Sequence, residues 1–100
     1  MDTLLGRYYN LDGSQIQSIE ELAECQKNKV IKQEEIANGE FISTVWIGLD
    51  MSYNSDKKLI FETMAFKSKD DFTDLDCYRY ETLDKAIEGH ERMVKSRLNS

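Results

Sequence analysis

The sequence predicts a single α+β domain, in which an antiparallel meander of four or five strands packs against a short N-terminal helix and a longer C-terminal helix. One hundred residues, 40% of them hydrophobic, suffice for one core. Within residues 41–66, two apolar runs rich in β-branched and aromatic residues flank a polar break, as neighbouring strands do. Apolar residues near the C-terminus recur at helical spacing. The expected element order is β-α-β-β-β-β-α over residues 1–100.

The N-terminal part predicts a short strand followed by a helix. Arg7-Tyr8-Tyr9 leads into an Asp12-Gly13 turn. Ser18, with Glu21 three residues later, forms a capping box and starts a helix over residues 19–27. The apolar stripe of this helix is expected to comprise Ile16, Ile19, Leu22 and Ala23.

The next two strands, residues 30–37 and 40–49, are predicted to form a hairpin. Asn38-Gly39 is a strong signal for a two-residue turn. In that register Gln33 faces Thr44, and Ile31 faces Trp46. Both faces of the sheet then carry apolar side chains, with Val30, Ile36, Phe41, Val45 and Ile47 on one and Ile31, Ile42, Thr44 and Trp46 on the other. We therefore expect both faces to be covered, by helices or by a second subunit, which predicts a homodimer or larger homo-oligomer.

The rest of the sheet and the last helix follow from the same patterns. Residues 59–66 predict a third strand, residues 67–74 an acidic loop, and residues 75–80 a fourth strand. Thr82 is expected to cap the terminal helix. Its apolar stripe comprises Leu83, Ala86, Ile87, His90, Met93, Val94 and Leu98.

Charge and composition exclude several classes of partner. The net charge of −6 repels nucleic-acid backbones, so no nucleic acid is expected. No run is long enough to span a bilayer, and the N-terminus lacks a long apolar segment, so neither a membrane nor secretion is expected. Cys25 and Cys77 lie far apart and are expected to be reduced core fillers. These features favour a location in the cytoplasm.

Catalytic and metal-binding motifs are weak in this sequence. Asp50, Ser52, Asn54 and Asp56 resemble the start of a calcium loop, but its glycine and closing glutamate are missing. The acidic run from Asp70 to Asp76 fits a solvated loop, so no metal or cofactor is expected. His90, the single histidine, falls on an apolar stripe and is expected to be a half-buried, hydrogen-bonded core residue. The chain is therefore predicted not to be an enzyme, and general acid or base catalysis by Glu62 or His90 is the alternative.

Glu62 lies in the middle of an apolar strand, where an unpaired carboxylate is costly. Arg79 on the neighbouring strand is its natural partner. Such a pair is either structural or part of a ligand site, and the sequence leaves both readings open.

Two tripeptides, Arg7-Tyr8-Tyr9 and Tyr78-Arg79-Tyr80, place a guanidinium among aromatic rings on predicted strands. Arginine binds phosphate in a bidentate fork, and aromatic faces stack on bases. Trp46 and Phe61 are expected to add stacking surface. The pattern predicts a binder of small nucleotides, although tyrosine and arginine are also common at strand edges.

The central block resembles a family of small proteins found in phages, prophages and actinobacterial genomes. The residues that carry the resemblance are 43–50 (Ser-Thr-Val-Trp-Ile-Gly-Leu-Asp) and 59–66 (Leu-Ile-Phe-Glu-Thr-Met-Ala-Phe). Residues 7–13 and 77–80, with Ala86, Gly89 and His90, fit the same family. The chain departs from it at Met51 and residues 54–58, where relatives carry a histidine and a Gly-Gly-Pro-Pro loop.

The resemblance implies a phage context, in which small acidic proteins often counter host defence. One such class, the Thoeris anti-defence sponges, sequesters cyclic ADP-ribose signals. By analogy, we expect a protein that sequesters a small cyclic nucleotide without catalysis. A protein inhibitor that binds a host defence enzyme through acidic and aromatic surface is the alternative. The expected ligand-binding residues are Arg7, Tyr8, Trp46, Phe61, Glu62, Tyr78, Arg79, Tyr80 and Arg92.

Overall fold

A computed structural model describes residues 8–48 and 58–99 and confirms the α+β fold. The described elements are α1 (Ile19–Lys27), β1 (Val30–Glu35), β2 (Phe41–Trp46), β3 (Phe61–Ser68), β4 (Asp71–Tyr80) and α2 (Leu83–Leu98). The four strands form one antiparallel sheet in the order β1-β2-β3-β4. Its meander topology therefore follows the chain.

Both helices begin at the predicted caps. The Ser18 hydroxyl accepts a hydrogen bond from the Glu21 amide at 3.1 Å, and the Thr82 hydroxyl accepts one from the Lys85 amide at 3.2 Å. These bonds satisfy amides that have no partner within the helix. The stripe predicted for α1 is only partly right, because Ile19 is 70% exposed whereas Cys25 is buried.

The predicted register of the β1–β2 hairpin is wrong by one residue. The Ile36 amide donates to the Glu40 carbonyl, so three residues rather than two form the loop. Gly39 adopts a φ of +90°, which is typical of a three-residue hairpin loop that ends in a left-handed residue. As a result Glu34 faces Ile42 and Lys32 faces Thr44. A shift of one residue moves the side chains of residues 32–35 to the other face of the sheet. An irregularity between Val30 and Lys32 leaves Val30 paired with Val45, on the face predicted for both.

The acidic loop predicted over residues 67–74 is also wrong, because most of it is strand. β3 continues to Ser68 and β4 begins at Asp71, which leaves a two-residue turn. The rings of Phe66 and Phe72 meet edge to face, with centroids 5.1 Å apart. Cross-strand aromatic pairs of this kind stabilise antiparallel strands. This pair extends the β3–β4 hairpin beyond residues 75–80, where apolar and polar side chains alternate clearly.

The strand predicted at the N-terminus is reduced to a short bridge in the described residues. Tyr9 pairs with Gln15, and its amide donates to the Gly48 carbonyl at 2.9 Å. The predicted turn is present, with Gly13 at a φ of +91°. Within the part of the chain that the structure describes, the sheet therefore has four strands, at the lower end of the expected number.

Both helices pack on the same face of the sheet. Side chains of β2 and β3 that point to this face form two apolar clusters with them. The first contains Ile16, Cys25, Trp46, Ile60, Phe61 and Ala86, and the second contains Ile36, Ile42, Ala65 and Met93. Paired Thr44 and Thr63, both fully buried, lie between these clusters. The core is thus two apolar regions separated by a polar layer.

The opposite face of the sheet has no covering layer among the described residues. We call it the open face. It carries half-buried Phe41, Val45, Met64 and Phe66. Cys77, predicted to be a core filler, is exposed there, while Cys25 is buried as expected, and both thiols are free. The prediction that both faces are apolar is consistent with this side-chain pattern.

Neither described helix has both the length and the apolar composition that crossing a bilayer requires.

An ion pair joins the end of α2 to the β1–β2 hairpin and generates a prediction about pH. Arg97 donates two hydrogen bonds to the Glu40 carboxylate, from Nε to Oε1 at 2.8 Å and from Nη2 to Oε2 at 3.0 Å. These hydrogen bonds lower the pKa of the Glu40 carboxyl below its ordinary value of 4.5. The stabilisation is therefore present above that value and is lost as the pH falls through the lower pKa of the folded state.

We expect Glu40→Gln to lower the free energy of unfolding by about 1 kcal/mol at neutral pH and by progressively less below pH 4.5, as measured by urea denaturation. Glu35→Gln, which removes an exposed carboxylate of the same hairpin, is the control. A difference between Glu40→Gln and the parent protein that stays constant from pH 7 to pH 3 would contradict this assignment.

Candidate functional site

A cleft of about 350 Å³ lies between β4 and α2, on the face of the sheet that carries the helices. We call it the β4–α2 cleft. Its wall on the strand side comprises Asp76, Tyr78 and Tyr80, and its wall on the helix side comprises Gly89, Arg92, Met93 and Ser96. The volume falls at the lower end of the range for small-molecule sites.

The cleft follows directly from the two periodicities of the chain. Residues 76, 78 and 80 alternate along β4, so their side chains share one face. Residues 89, 92, 93 and 96 recur at intervals of three and four along α2, so they share one side of the helix. Where the two elements meet, a side chain at Gly89 would collide with the Tyr80 ring. Glycine at this position therefore allows the ring to lie directly against the helix backbone.

The cleft combines aromatic surface with charges of both signs. Tyr78 is 56% exposed and presents its ring to solvent. Among the described residues no ion pair to Arg92 is formed, so its guanidinium is available to a ligand. The Asp76 carboxylate accepts a hydrogen bond from the Cys77 amide at 2.9 Å. This arrangement suits a ligand with a flat ring, an anionic group and hydroxyl or amino donors.

The structure brings three of the predicted ligand-binding residues together and separates others from them. Tyr78, Tyr80 and Arg92 all line the β4–α2 cleft. Arg79 points to the open face, where its Nε donates to Glu62 at 3.1 Å. The expected pairing of Glu62 with Arg79 is therefore present, but it lies on the side of the sheet away from the cleft.

Three further predicted residues, Tyr8, Trp46 and Phe61, do not present a binding surface. Trp46 is 3% exposed and Phe61 is fully buried, because both rings belong to the core beneath the helices. Tyr8 is half-buried and packs against the same cluster. Arg7, which is also expected at the site, lies outside the described residues, so its place there stays a prediction.

A second polar cluster surrounds His90, on the side of α2 that faces β1. The fully buried imidazole contacts the Thr44 hydroxyl at 2.7 Å through Nδ1 and Glu34 Oε2 at 2.7 Å through Nε2. Thr44 in turn contacts the Thr63 hydroxyl at 2.6 Å. A neutral ring with its proton on Nε2 satisfies every contact, since Thr63 donates to Thr44 and Thr44 donates to Nδ1. The prediction of a hydrogen-bonded core histidine is confirmed, although the ring is fully buried rather than half-buried.

Sequence reasoning missed several residues of both clusters. The sequence assigns Asp76 to an acidic run typical of a solvated loop and gives no role to Gly89, and the predicted hairpin register puts Glu34 on the wrong face of the sheet. Alternation through residues 76–80 could have identified Asp76. Glu34 carried no signal, because only the length of the hairpin loop determines its face.

No protein-family model matches the chain, and neither a curated protein nor a solved structure is significantly similar to it. The resemblance to the phage family therefore stays a prediction.

The contact of Tyr80 with Gly89 can be tested by a double-mutant cycle. We expect Gly89→Ala to destabilise the protein by roughly 1 kcal/mol, because displacing the ring outweighs the better helix propensity of alanine. In a Tyr80→Leu background the same change should be neutral or stabilising, since the collision is gone. Thermal and urea unfolding of the four proteins measure both effects. An equal effect of Gly89→Ala in both backgrounds would rule out the contact.

Proposed function

We propose that this chain is a non-catalytic binding protein that holds a small nucleotide in the β4–α2 cleft. The observation that carries the proposal is the presence in one cleft of the exposed Tyr78 ring and the Arg92 guanidinium, which forms no ion pair within the described residues. Stacking and a charge-assisted fork are the two interactions by which proteins most often hold a base and a phosphate.

Each wall of the cleft has a role in this proposal. Tyr78 stacks on the base, and Tyr80, held against Gly89, forms the rigid end of the cleft. Arg92 binds the phosphate from the helix side. Asp76 accepts hydrogen bonds from a ribose hydroxyl or an exocyclic amine, and Ser96 adds a hydroxyl. A cleft of about 350 Å³ accommodates one nucleotide rather than an oligonucleotide.

The biological role that we propose is sequestration of a cyclic nucleotide immune signal by a phage-encoded anti-defence protein. Sequestration requires tight binding and no turnover. The two candidates for acid or base catalysis, His90 and Glu62, do not line the cleft, which supports binding without turnover. His90 is enclosed by Thr44 and Glu34, and Glu62 is paired with Arg79 on the open face. The ligand class is therefore cyclic nucleotides, and cyclic ADP-ribose is one candidate.

Calorimetric titration with a panel of mononucleotides and cyclic nucleotides tests the binding site. We expect Arg92→Gln to weaken binding about tenfold or more, and Tyr78→Leu to weaken it by a similar factor. Arg79→Gln is the matched control. Arg79 follows Tyr78 on β4 but points to the open face, so this change removes a guanidinium that does not line the cleft. Heat from no nucleotide, or equal losses with Arg92→Gln and Arg79→Gln, would end the proposal.

The open face favours a second candidate function, association with a protein. Phe41, Val45, Met64 and Phe66 form an apolar strip across β2 and β3, and Phe72 at its end is 68% exposed. The Glu62–Arg79 pair beside the strip has one charge of each sign. In a twofold-symmetric dimer, Glu62 of one copy could therefore face Arg79 of the other. A homodimer is the occupant that we propose, and an inhibited host enzyme is the alternative.

Light scattering during size-exclusion chromatography tests the dimer. We expect the parent protein to be dimeric and Met64→Lys to be monomeric, because the change puts a charge in the middle of the apolar strip. Ile19→Lys is the control, since Ile19 is 70% exposed on α1, away from the sheet. A monomeric parent protein would contradict the dimer, and stoichiometric recovery of a bacterial enzyme with it would favour the inhibitor.

A further inference from the structure

Three potential metal ligands meet at the seam between β1 and α2, at the opposite edge of the sheet from the β4–α2 cleft. His90 Nε2 and one carboxylate oxygen each of Glu34 and Glu91 lie within 4.8 Å of one another. His90 and Glu91 are adjacent on α2, and Glu34 reaches them from β1. One imidazole nitrogen and two carboxylate oxygens form a donor set that first-row divalent metals accept.

The imidazole is held in the orientation that a metal ligand needs. His90 is fully buried, and its Nδ1 lies 2.7 Å from the Thr44 hydroxyl, so the ring cannot turn away. A metal ion at Nε2 requires the other neutral tautomer, with the ring proton on Nδ1 instead of Nε2. In that state Nδ1–H donates to the Thr44 hydroxyl, which in turn donates to Thr63, so both directions reverse without moving a heavy atom. Metal-binding histidines usually have their second nitrogen fixed by such an oxygen acceptor.

A cationic side chain already lies between the two carboxylates. The Lys32 ammonium is 2.7 Å from Glu91 and 3.5 Å from Glu34. Lys32 and Glu91 are both about half exposed, and ion pairs at such positions contribute little to stability. The lysine can therefore move into solvent at small cost when another cation arrives.

We propose that Glu34, His90 and Glu91 bind a divalent transition-metal ion of the Zn²⁺ type, and that the ion displaces the Lys32 ammonium from the carboxylates. The exposed side of Glu91 leaves room for water to complete the coordination. The imidazole nitrogen disfavours Mg²⁺ and Ca²⁺, which prefer oxygen ligands. Bound metal would fasten β1 to α2 independently of any ligand in the β4–α2 cleft.

Calorimetric titration of chelator-treated protein with Zn²⁺ tests the site, and the visible absorption of Co²⁺ reports nitrogen and oxygen ligands as a second readout. We expect one saturable site per chain. Glu91→Gln should weaken binding about tenfold or more, whereas Lys32→Met should strengthen it by roughly three- to tenfold, because the competing ammonium is gone. If the cluster were only a structural ion-pair network, Lys32→Met would not be expected to increase the affinity for Zn²⁺.

Two matched controls separate this cluster from other surface charges. Glu88→Gln removes an exposed carboxylate of α2 outside the cluster, and Lys85→Met removes a lysine that pairs with Glu81. Both should leave the affinity for Zn²⁺ unchanged. Because His90 is the only histidine, no other imidazole contributes. No saturable binding up to about 1 mM Zn²⁺, or equal affinity of Glu91→Gln and the parent protein, would overturn the proposal.

Discussion

The hydrogen-bonded chain from Thr63 through Thr44 and His90 to Glu34 is the interaction on which the arrangement of this domain depends. It joins β3, β2 and β1 to α2 in one continuous line of contacts of 2.6 to 2.7 Å. Three of its members are fully buried, so the loss of any partner would leave a polar group unsatisfied at a cost of about 1 to 3 kcal/mol. Apolar packing alone would allow α2 to slide along the sheet, but these directional contacts select one position.

That position of α2 creates two different environments along its sides. Toward β4, the helix leaves a cleft in which Gly89 admits the Tyr80 ring and Arg92 is accessible. Toward β1, the same helix places His90 and Glu91 against Glu34. The two sites share a scaffold but no residue. A ligand at one seam and a cation at the other would each reinforce the docking of α2, since both would join the helix to an edge strand.

Much of the fold could be predicted because its signals are local. The caps Ser18 and Thr82 and the alternation of β2 depend on residues close together in sequence. The hairpin register could not be predicted, because the choice between a two-residue and a three-residue loop at Asn38-Gly39 depends on the whole sheet. That single choice hid the Glu34–His90 contact. In the candidate site, Tyr78, Tyr80 and Arg92 followed from side-chain chemistry. Trp46 and Phe61 have the right chemistry for stacking, but packing beneath the helices decides their burial.

The environment of Trp46 has a practical consequence. It is the single tryptophan of the chain, it is 3% exposed, and its indole Nε1 donates to the Tyr9 carbonyl at 2.8 Å. Fluorescence excited at wavelengths that the five tyrosines do not absorb therefore arises from this one indole, located where the segment around Tyr9 meets the sheet. Detachment of that segment would admit water to the indole and shift its emission to longer wavelengths while the β4–α2 seam stays intact. The molecule thus contains an optical probe of the contact between the Tyr9 segment and the sheet.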